Sequence, residues 1–141
     1  MERRDILKDE IEQLGKVLGK ILATFLGLKA KGQVAEGIEV SNEQFKTQLD
    51  LDMEKILKMS REDLGEYIHQ WNLTSEHLEM LSSFLLESGR DGIENCNDEA
   101  KVRLAKALDL LEIADVVSKT VSLEREGKKT EIQQLLENCV S

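Results

Sequence analysis

The sequence predicts an all-α protein, and three observations lead to that prediction. Proline, which ends helices, is absent from the 141 residues. Aromatic residues make up only 4% of the chain, which is instead rich in the helix formers Leu, Glu and Lys. Apolar residues recur at steps of three and four, the period of an amphipathic helix. We therefore expect five to six helices, packed as helical hairpins in a single domain over residues 1–141, with a long N-terminal helix at residues 3–30 and the hairpins in residues 41–141.

The first predicted helix carries a continuous apolar stripe within LKDEIEQLGKVLGKILATFLGLKAKG, residues 7–32. The stripe consists of Leu7, Ile11, Leu14, Leu18, Ile21, Phe25 and Leu28. Val17, Leu22 and Leu26 widen it to about half of the helix circumference, whereas a two-stranded coiled coil needs only a narrow seam. The helix is therefore expected to pack against two neighbours at once and to stop at Gly32.

Small residues border this stripe at every fourth position, at Gly15, Gly19, Ala23 and Gly27. Such spacing lets another backbone approach closely. Each glycine costs about 1 kcal/mol of helix propensity, which close packing is expected to offset. The first helix is therefore the predicted interaction surface. Its candidate residues are Leu14, Gly15, Leu18, Gly19, Ile21, Leu22, Ala23 and Phe25.

Capping residues place the next helices. A looser stretch, QVAEGIEVS, follows the first helix, and SNEQ at residues 41–44 indicates a capping box. The sequence leaves open whether DLDMEKILKM continues that helix or begins a short turn at Asp50 or Asp52. Ser60 then caps a segment whose predicted inward residues are Leu64, Tyr67, Ile68 and Trp71.

The segment NLTSEHLEMLSSFLLESG has the clearest helix signals after the first helix. Thr74 is a favourable cap, and Leu73 and Leu78 are spaced as a hydrophobic staple. Gly89 is predicted to end this helix. The polar residues GRDGIENCND then predict a loop.

Two more helices are predicted in the last third of the chain. Asn97 or Asp98 caps EAKVRLAKALDLLEIADVVSK, which ends at SKTVS. Its apolar stripe is Leu104, Ala107, Leu108, Leu111, Ala114 and Val117. The last helix is predicted at residues 123–138, with Ile132, Leu135 and Leu136 buried.

Charge and cysteine content limit the expected function and location. The net charge is −9, so phosphate backbones repel the surface and nucleic-acid binding is disfavoured. The start, MERRDILKDE, lacks the apolar core of a signal peptide, and the run ILATFLGL is shorter than the about 20 residues of a membrane span. With two cysteines, Cys96 and Cys139, and no Cys-x-x-Cys, we expect a cytoplasmic protein with reduced thiols.

Metal chemistry has only weak support in the sequence. Glu66 and His69 lie one turn apart, which is half of a di-iron carboxylate motif, but Thr74 stands where the second histidine, His77, would need a glutamate. The cysteines and histidines lack paired zinc-ligand spacing. The segment DGIENCNDE does not fit the calcium-loop pattern. Phosphate loops, nucleophile elbows and dinucleotide fingerprints are absent, so no catalytic, cofactor or metal residue is predicted.

The order of segments resembles a family of small uncharacterised bacterial proteins, a domain of unknown function. The resemblance rests on LDLDMEKILKMSREDLGEYI, NLTSEHLEMLSSFLLESG, AKALDLLEIAD and SLEREGKKTEIQQLL, and it implies packed helices without an assigned activity. The small-then-large alternation in AEGIEV, LGEYI and AKALDLLEIA is also similar to tetratricopeptide packing. The chain departs from that repeat because it lacks a regular 34-residue period and the closing proline.

Three functions remain open from the sequence. The favoured one is a non-catalytic helical module that binds an unknown protein partner through a groove between hairpins. The second is a homodimeric structural protein that associates through the first helix. The third is a small metal-dependent helical protein that uses Glu66, His69 and His77. Tyr67 and Trp71 are expected in the core, although an exposed aromatic pair would instead mark a binding surface.

Overall fold

The protein is entirely helical over the part of the chain that the structure describes. This computed structural model describes the backbone of residues 2–139 and the side chains of residues 8–139, so Leu7 of the predicted stripe lies outside the described side chains. The helices are α1 (Glu2–Ala30), α2 (Val34–Leu49), α3 (Met53–Lys58), α4 (Arg61–Gln70), α5 (Ser75–Ile93), α6 (Asp98–Ser118) and α7 (Leu123–Glu137). The predicted fold class is confirmed, but these residues form seven helices rather than five to six.

Two differences from the predicted helices lie between α1 and α4: α2 begins within the stretch predicted to be loose, and a separate short helix, α3, forms where the sequence left a turn open. Val34 begins α2, so Ser41 is not a cap but a fully buried residue inside that helix. Gly37 allows the close approach of α2 to α1, because an added Cβ there would lie 3.0 Å from Cδ1 of Phe25. Asp50 ends α2 in the left-handed conformation, and Asp52 then caps α3 by accepting the backbone N–H of Lys55.

Side-chain caps begin the later helices as predicted. Ser60 Oγ accepts the backbone N–H of Asp63 at 3.1 Å and begins α4. Thr74 Oγ1 accepts the N–H of His77 and begins α5. Asn97 Oδ1 accepts two backbone N–H groups of α6. Each cap satisfies donors that have no partner within the helix, so local sequence signals position these three helices.

Gly89 does not end α5, which continues to Ile93. A Cβ at Gly89 would lie 2.7 Å from Cδ1 of Leu104 and 3.3 Å from Cβ of Arg103. The glycine is therefore required for the close contact between α5 and α6 and not for a turn. Ser82 donates a hydrogen bond to the Ala107 carbonyl at 2.8 Å in the same interface.

One hydrophobic core draws side chains from all seven helices. Its centre contains the three phenylalanines of the chain, Phe25, Phe45 and Phe84. The ring of Phe84 meets Phe25 and Phe45 edge to face, with centroids 5.1 Å and 5.0 Å apart. Leu18 and Ile21 are buried beside them. The stripe of α1 therefore faces the protein's own core.

The two halves of α7 pack differently. Ile132 is its only fully buried apolar residue, whereas Leu135 and Leu136 are half-buried. Arg125 is buried, with its Nε 3.0 Å from Oδ1 of Asp115, and Lys129 pairs with the other carboxylate oxygen of Asp115 at 2.6 Å. These contacts tie the first half of α7 to the end of α6.

The prediction of reduced thiols is wrong for this structure, because Cys96 and Cys139 form a disulfide. The two residues are 43 positions apart in sequence, and their Cα atoms are 5.3 Å apart. The sequence could not show that the α5–α6 loop and the end of α7 would meet.

None of the helices in residues 2–139 combines sufficient length with sufficient apolar character to cross a bilayer.

Candidate binding cleft

A cleft of about 990 Å³ lies between α4, the first turn of α5 and the last turns of α6. Its polar lining includes Arg61, Glu62 and His69 from α4. Its apolar lining consists of Ile11, Ile68, Leu73, Ile113, Val116 and Val117. A concave apolar surface with a few polar groups at its edge is the usual form of a binding site in a helical protein.

Apolar side chains are concentrated on the surface beside this cleft. Four of the seven large apolar residues that are exposed among residues 8–139 lie in residues 116–123, and they are 42% to 89% exposed. They form the 116–123 patch, which consists of Val116, Val117, Val121 and Leu123. An exposed apolar cluster next to a cleft is typical of a binding surface. The prediction that Val117 belongs to the buried stripe of α6 is wrong.

A second cleft, of about 550 Å³, adjoins the first. Ile11 and Asn72 line both clefts, so the two form one continuous surface beside α1. Trp71, the single tryptophan, lines the second cleft and is exposed rather than buried in the core as expected. Its ring centroid is 5.9 Å from that of Tyr67. Trp71 can therefore report binding through its fluorescence.

Carboxylates outnumber cations along this surface. Glu10, Asp50 and Glu62 line the two clefts, and Glu66 joins Glu62 in a shallow hollow next to the first cleft. Among the lining residues Arg61 is the single lysine or arginine, and Glu112 lies 3.5 Å from it. The clefts are therefore apolar at their floor and acidic at their edge.

The acidic edge also affects a neighbouring phenol. Burial, followed by the negative charges of Asp50 and Asp52, raises the pKa of Tyr67 above its ordinary value. The phenol therefore stays protonated and neutral at physiological pH.

His77 holds α1 and α5 together in a hollow that shares Ile11 and Thr74 with the first cleft. Its Nε2 lies 3.0 Å from the carbonyl oxygen of Ile11, and its Nδ1 accepts the backbone N–H of Thr74 at 3.0 Å. Because a carbonyl only accepts and an N–H only donates, the ring is neutral with its proton on Nε2. Ile11, which lines both clefts, is thereby fixed relative to α5.

This contact predicts a pH-dependent stability. Burial lowers the pKa of His77, although the Ile11 carbonyl and the nearby Glu76 act in the opposite direction. Glu12 and Lys16 of α1 face the same hollow. In the unfolded chain His77 takes up a proton near pH 6.5, whereas in the folded protein it does so only at lower pH. The contribution of His77 to the free energy of unfolding is therefore complete above about pH 6.5, and it is lost as the pH falls toward the folded-state pKa.

The measurement is urea unfolding at several pH values for the wild type and for His77→Gln. Glutamine at this position can accept the Thr74 N–H and donate to Ile11 without titrating. We expect the variant to lose less stability than the wild type between pH 7.5 and 5, by about 1 kcal/mol. His69→Gln is the control, because His69 is exposed. Equal pH profiles for His77→Gln and the wild type would contradict the assignment.

The structure separates the predicted interaction residues of α1 into two groups. Leu18, Ile21 and Phe25 are buried in the core, and Leu14 and Leu22 are half-buried against it. These five residues offer little surface to a second copy in this conformation.

The small residues of α1 lie outside the hydrophobic core. Gly15 lies against His77, where an added Cβ would be 3.5 Å from Nε2. Ala23 is exposed and Gly19 is half-buried, and no atom of a neighbouring element lies within 4 Å of a Cβ built on Gly19. Packing within the chain therefore does not offset the helix propensity lost at Gly19.

The residues of the metal hypothesis do not converge. Glu66 and His69 lie on the exposed face of α4, whereas both ring nitrogens of the buried His77 are engaged with the backbone. Within residues 8–139, no three His, Cys, Asp or Glu side chains are grouped closely enough to hold a metal ion.

Comparisons with protein-family models, with curated proteins and with solved structures found no match. The resemblance to the bacterial family of unknown function therefore stays a prediction. The fold and the site together define the class as an all-α protein with an exposed apolar cleft.

Proposed function

We propose that the protein is a non-catalytic binding module that holds an amphipathic helix of a partner protein in the cleft between α4, α5 and α6. The observation that carries this proposal is the 116–123 patch, of which Val116 and Val117 line the cleft while Val121 and Leu123 are exposed a few residues further along the chain. Burying such a surface against an apolar helix face is favourable by roughly 25 cal/mol for each Å².

The charges at the edge of the cleft favour a partner with basic residues. Glu62 lines this cleft, Glu10 and Asp50 line the adjoining cleft, and Glu66 lines the hollow next to it. The chain carries a net charge of −9. Lysines or arginines that flank the apolar face of the partner helix would face these carboxylates. Such complementarity speeds association and disfavours acidic partners.

The non-catalytic part of the proposal rests on the polar groups in the cleft. Thr74 and Ser118 both use their hydroxyl groups in local hydrogen bonds, Thr74 at the start of α5 and Ser118 at the end of α6. In the described residues, the hydrogen bonds contain no pair of a serine or cysteine nucleophile with a histidine base.

The test uses a synthetic helix with leucine on one face and lysine on the other, and a counterpart with glutamate in place of lysine. We expect the basic peptide to shift Trp71 fluorescence and to bind with a Kd of roughly 10⁻⁶ to 10⁻⁴ M. Its affinity should fall as salt is added, because the edge carboxylates are screened. The acidic peptide should bind more weakly.

Two valines of α6 provide a matched pair of variants. Val117 in the cleft is 42% exposed and Val102 near the start of α6 is 46% exposed. We expect Val117→Glu to raise the Kd of the basic peptide at least about tenfold and Val102→Glu to leave that Kd unchanged. Equal effects of the two variants, or no binding of either peptide, would contradict the proposal.

The packing of the hairpins is a further part of the proposal. We propose that α1–α2 and α5–α6 stack in a tetratricopeptide-like manner. Support comes from the contacts of α1 with both α2 and α5, and of α5 with α6. The missing 34-residue period limits the analogy to architecture, so the partner groove is argued from the cleft alone.

The remaining expectations have less support than the binding module. A homodimer through α1 would have to use Leu26 and the small residues at the surface, because the stripe is buried. The cytoplasmic location relied partly on reduced thiols, and the disulfide removes that support.

A further inference from the structure

We infer that the disulfide is a redox-sensitive clasp that holds the end of α7 against the body of the protein. The disulfide restrains residues 131–139, which we call the α7 tail. This inference does not depend on the proposed binding function, because it concerns the opposite end of α7 from the 116–123 patch.

The two halves of α7 are held by different contacts. The first half is fixed by the buried Arg125, whose guanidinium contacts Asp115 and donates to the Ser118 hydroxyl and the Thr120 carbonyl. Lys129 adds a second contact to Asp115. These contacts do not involve the cysteines, so they remain when the disulfide opens.

The α7 tail has few contacts of its own. Ile132 is buried, but Leu135 and Leu136 are only half-buried. The side chains of the ion pair between Glu131 and Arg90, at 3.2 Å, are 43% and 35% exposed, and pairs that solvent reaches contribute little to stability. The disulfide at Cys139 is therefore the strongest restraint on this segment.

The loop that carries Cys96 is held by hydrogen bonds that do not depend on the disulfide. Cys96 lies in the loop between α5 and α6, and its N–H donates to the Ile93 carbonyl at 3.0 Å. The N–H of Asn97 donates to the Gly92 carbonyl at 3.0 Å, and the Asn97 side chain caps α6. The loop therefore keeps its shape when the bond breaks, and the α7 tail is the part that moves.

Both cysteines are only half-buried, so a reductant can reach them. The reaction is thiol–disulfide exchange with a dithiol. A thiolate of the dithiol attacks one Sγ, and the other cysteine leaves as a thiolate that takes up a proton. The second thiol of the reductant then displaces the first cysteine, so the protein gains two electrons and two protons and the dithiol becomes a disulfide.

Opening of the clasp would expose apolar surface that is covered in the oxidised form. Ile132, Leu135 and Leu136 face the core from the α7 tail, so release of the tail uncovers both these side chains and the surface under them. The redox state of one cysteine pair would thereby change what the protein presents to its surroundings.

Hydrogen exchange on the full-length protein tests the inference. The oxidised protein is compared with the same protein in dithiothreitol, and exchange is read by mass spectrometry of peptides. We expect amides of residues 131–139 to exchange at least about tenfold faster after reduction, while residues 78–88 of α5 keep their protection.

The double variant Cys96→Ser and Cys139→Ser is the control for effects of the reductant itself. It should exchange rapidly in residues 131–139 both with and without dithiothreitol. Three results would overturn the inference: equal exchange of the α7 tail in the oxidised and reduced proteins, loss of protection throughout α5 on reduction, or two titratable thiols that persist in oxidised glutathione.

Discussion

Replacement of Phe84 by alanine is expected to lower the free energy of unfolding by about 3–5 kcal/mol. Phe84 is the shared partner of the other two phenylalanines, whose rings are 5.1 Å and 5.0 Å from its own. It also connects α5 to both α1 and α2. Removal of the ring leaves a cavity among three helices, and well-packed helices can close such a cavity only in part. Urea unfolding followed by circular dichroism measures the change.

Phe84→Leu separates the volume of the ring from its geometry. Leucine fills most of the space but cannot make the edge-to-face contacts, which are worth about 0.5–1.5 kcal/mol for each aromatic pair. We expect Phe84→Leu to be clearly less destabilising than Phe84→Ala. A loss below about 1 kcal/mol for the alanine variant would show that the three rings are not the centre of the core.

The fold class and most helix starts could be predicted because they depend on local chemistry. Ser60, Thr74 and Asn97 cap helices through hydrogen bonds to residues two or three positions away. The stripe of α1 follows from the helical period alone. These features do not depend on the structure of the rest of the chain.

The errors occurred where distant packing overrides a local signal. Gly89 has the form of a helix stop, but it lies inside α5 because Leu104 of α6 leaves no room for a side chain. Ser41 has the form of a cap, but α2 begins at Val34 because its apolar face packs on α1. Gly37 contacts Phe25 and Gly89 contacts Leu104 across helix boundaries, so a pattern within one helix cannot reveal either contact.

The candidate site was harder to predict than the fold. Val117 continues the period of the α6 stripe, yet it is 42% exposed and lines the cleft beside α4. The run of valines in DVVSKTVSL was the available signal. Exposure depends on where the neighbouring helices end, and that is a tertiary property. The cysteine pairing has the same origin, because it requires α7 to return to the α5–α6 loop.

The location of the candidate site away from the α1 stripe has a functional consequence. A surface that binds a partner must remain accessible in the folded chain, and the stripe does not because Leu18 and Phe25 are part of the core. The cleft meets that requirement. The contact between His77 Nε2 and the Ile11 carbonyl oxygen fixes the part of α1 that lines the cleft. Variants in α1 should therefore affect stability, whereas variants at Val117 should affect binding.

Replacement of Leu18 by glutamate is the sharpest test of that distinction. Leu18 is 2% exposed, so the variant places a carboxylate in an apolar core without a partner, which costs several kcal/mol. Because domains of this kind have only about 5–15 kcal/mol of stability, we expect Leu18→Glu to be largely unfolded by circular dichroism. Leu18→Ala, with an expected loss of about 2–5 kcal/mol, keeps the effect measurable if the glutamate variant does not fold.

Leu26→Glu is the matched control on the same helix, because Leu26 is 41% exposed. It should remain folded, with its unfolding free energy within about 0.5 kcal/mol of the wild type. Molar mass by light scattering separates the two explanations of the stripe. A folded Leu18→Glu variant with half the molar mass of the wild type would mean that the stripe joins two copies. An unfolded Leu18→Glu beside a folded Leu26→Glu of unchanged mass would mean that it joins α1 to the core.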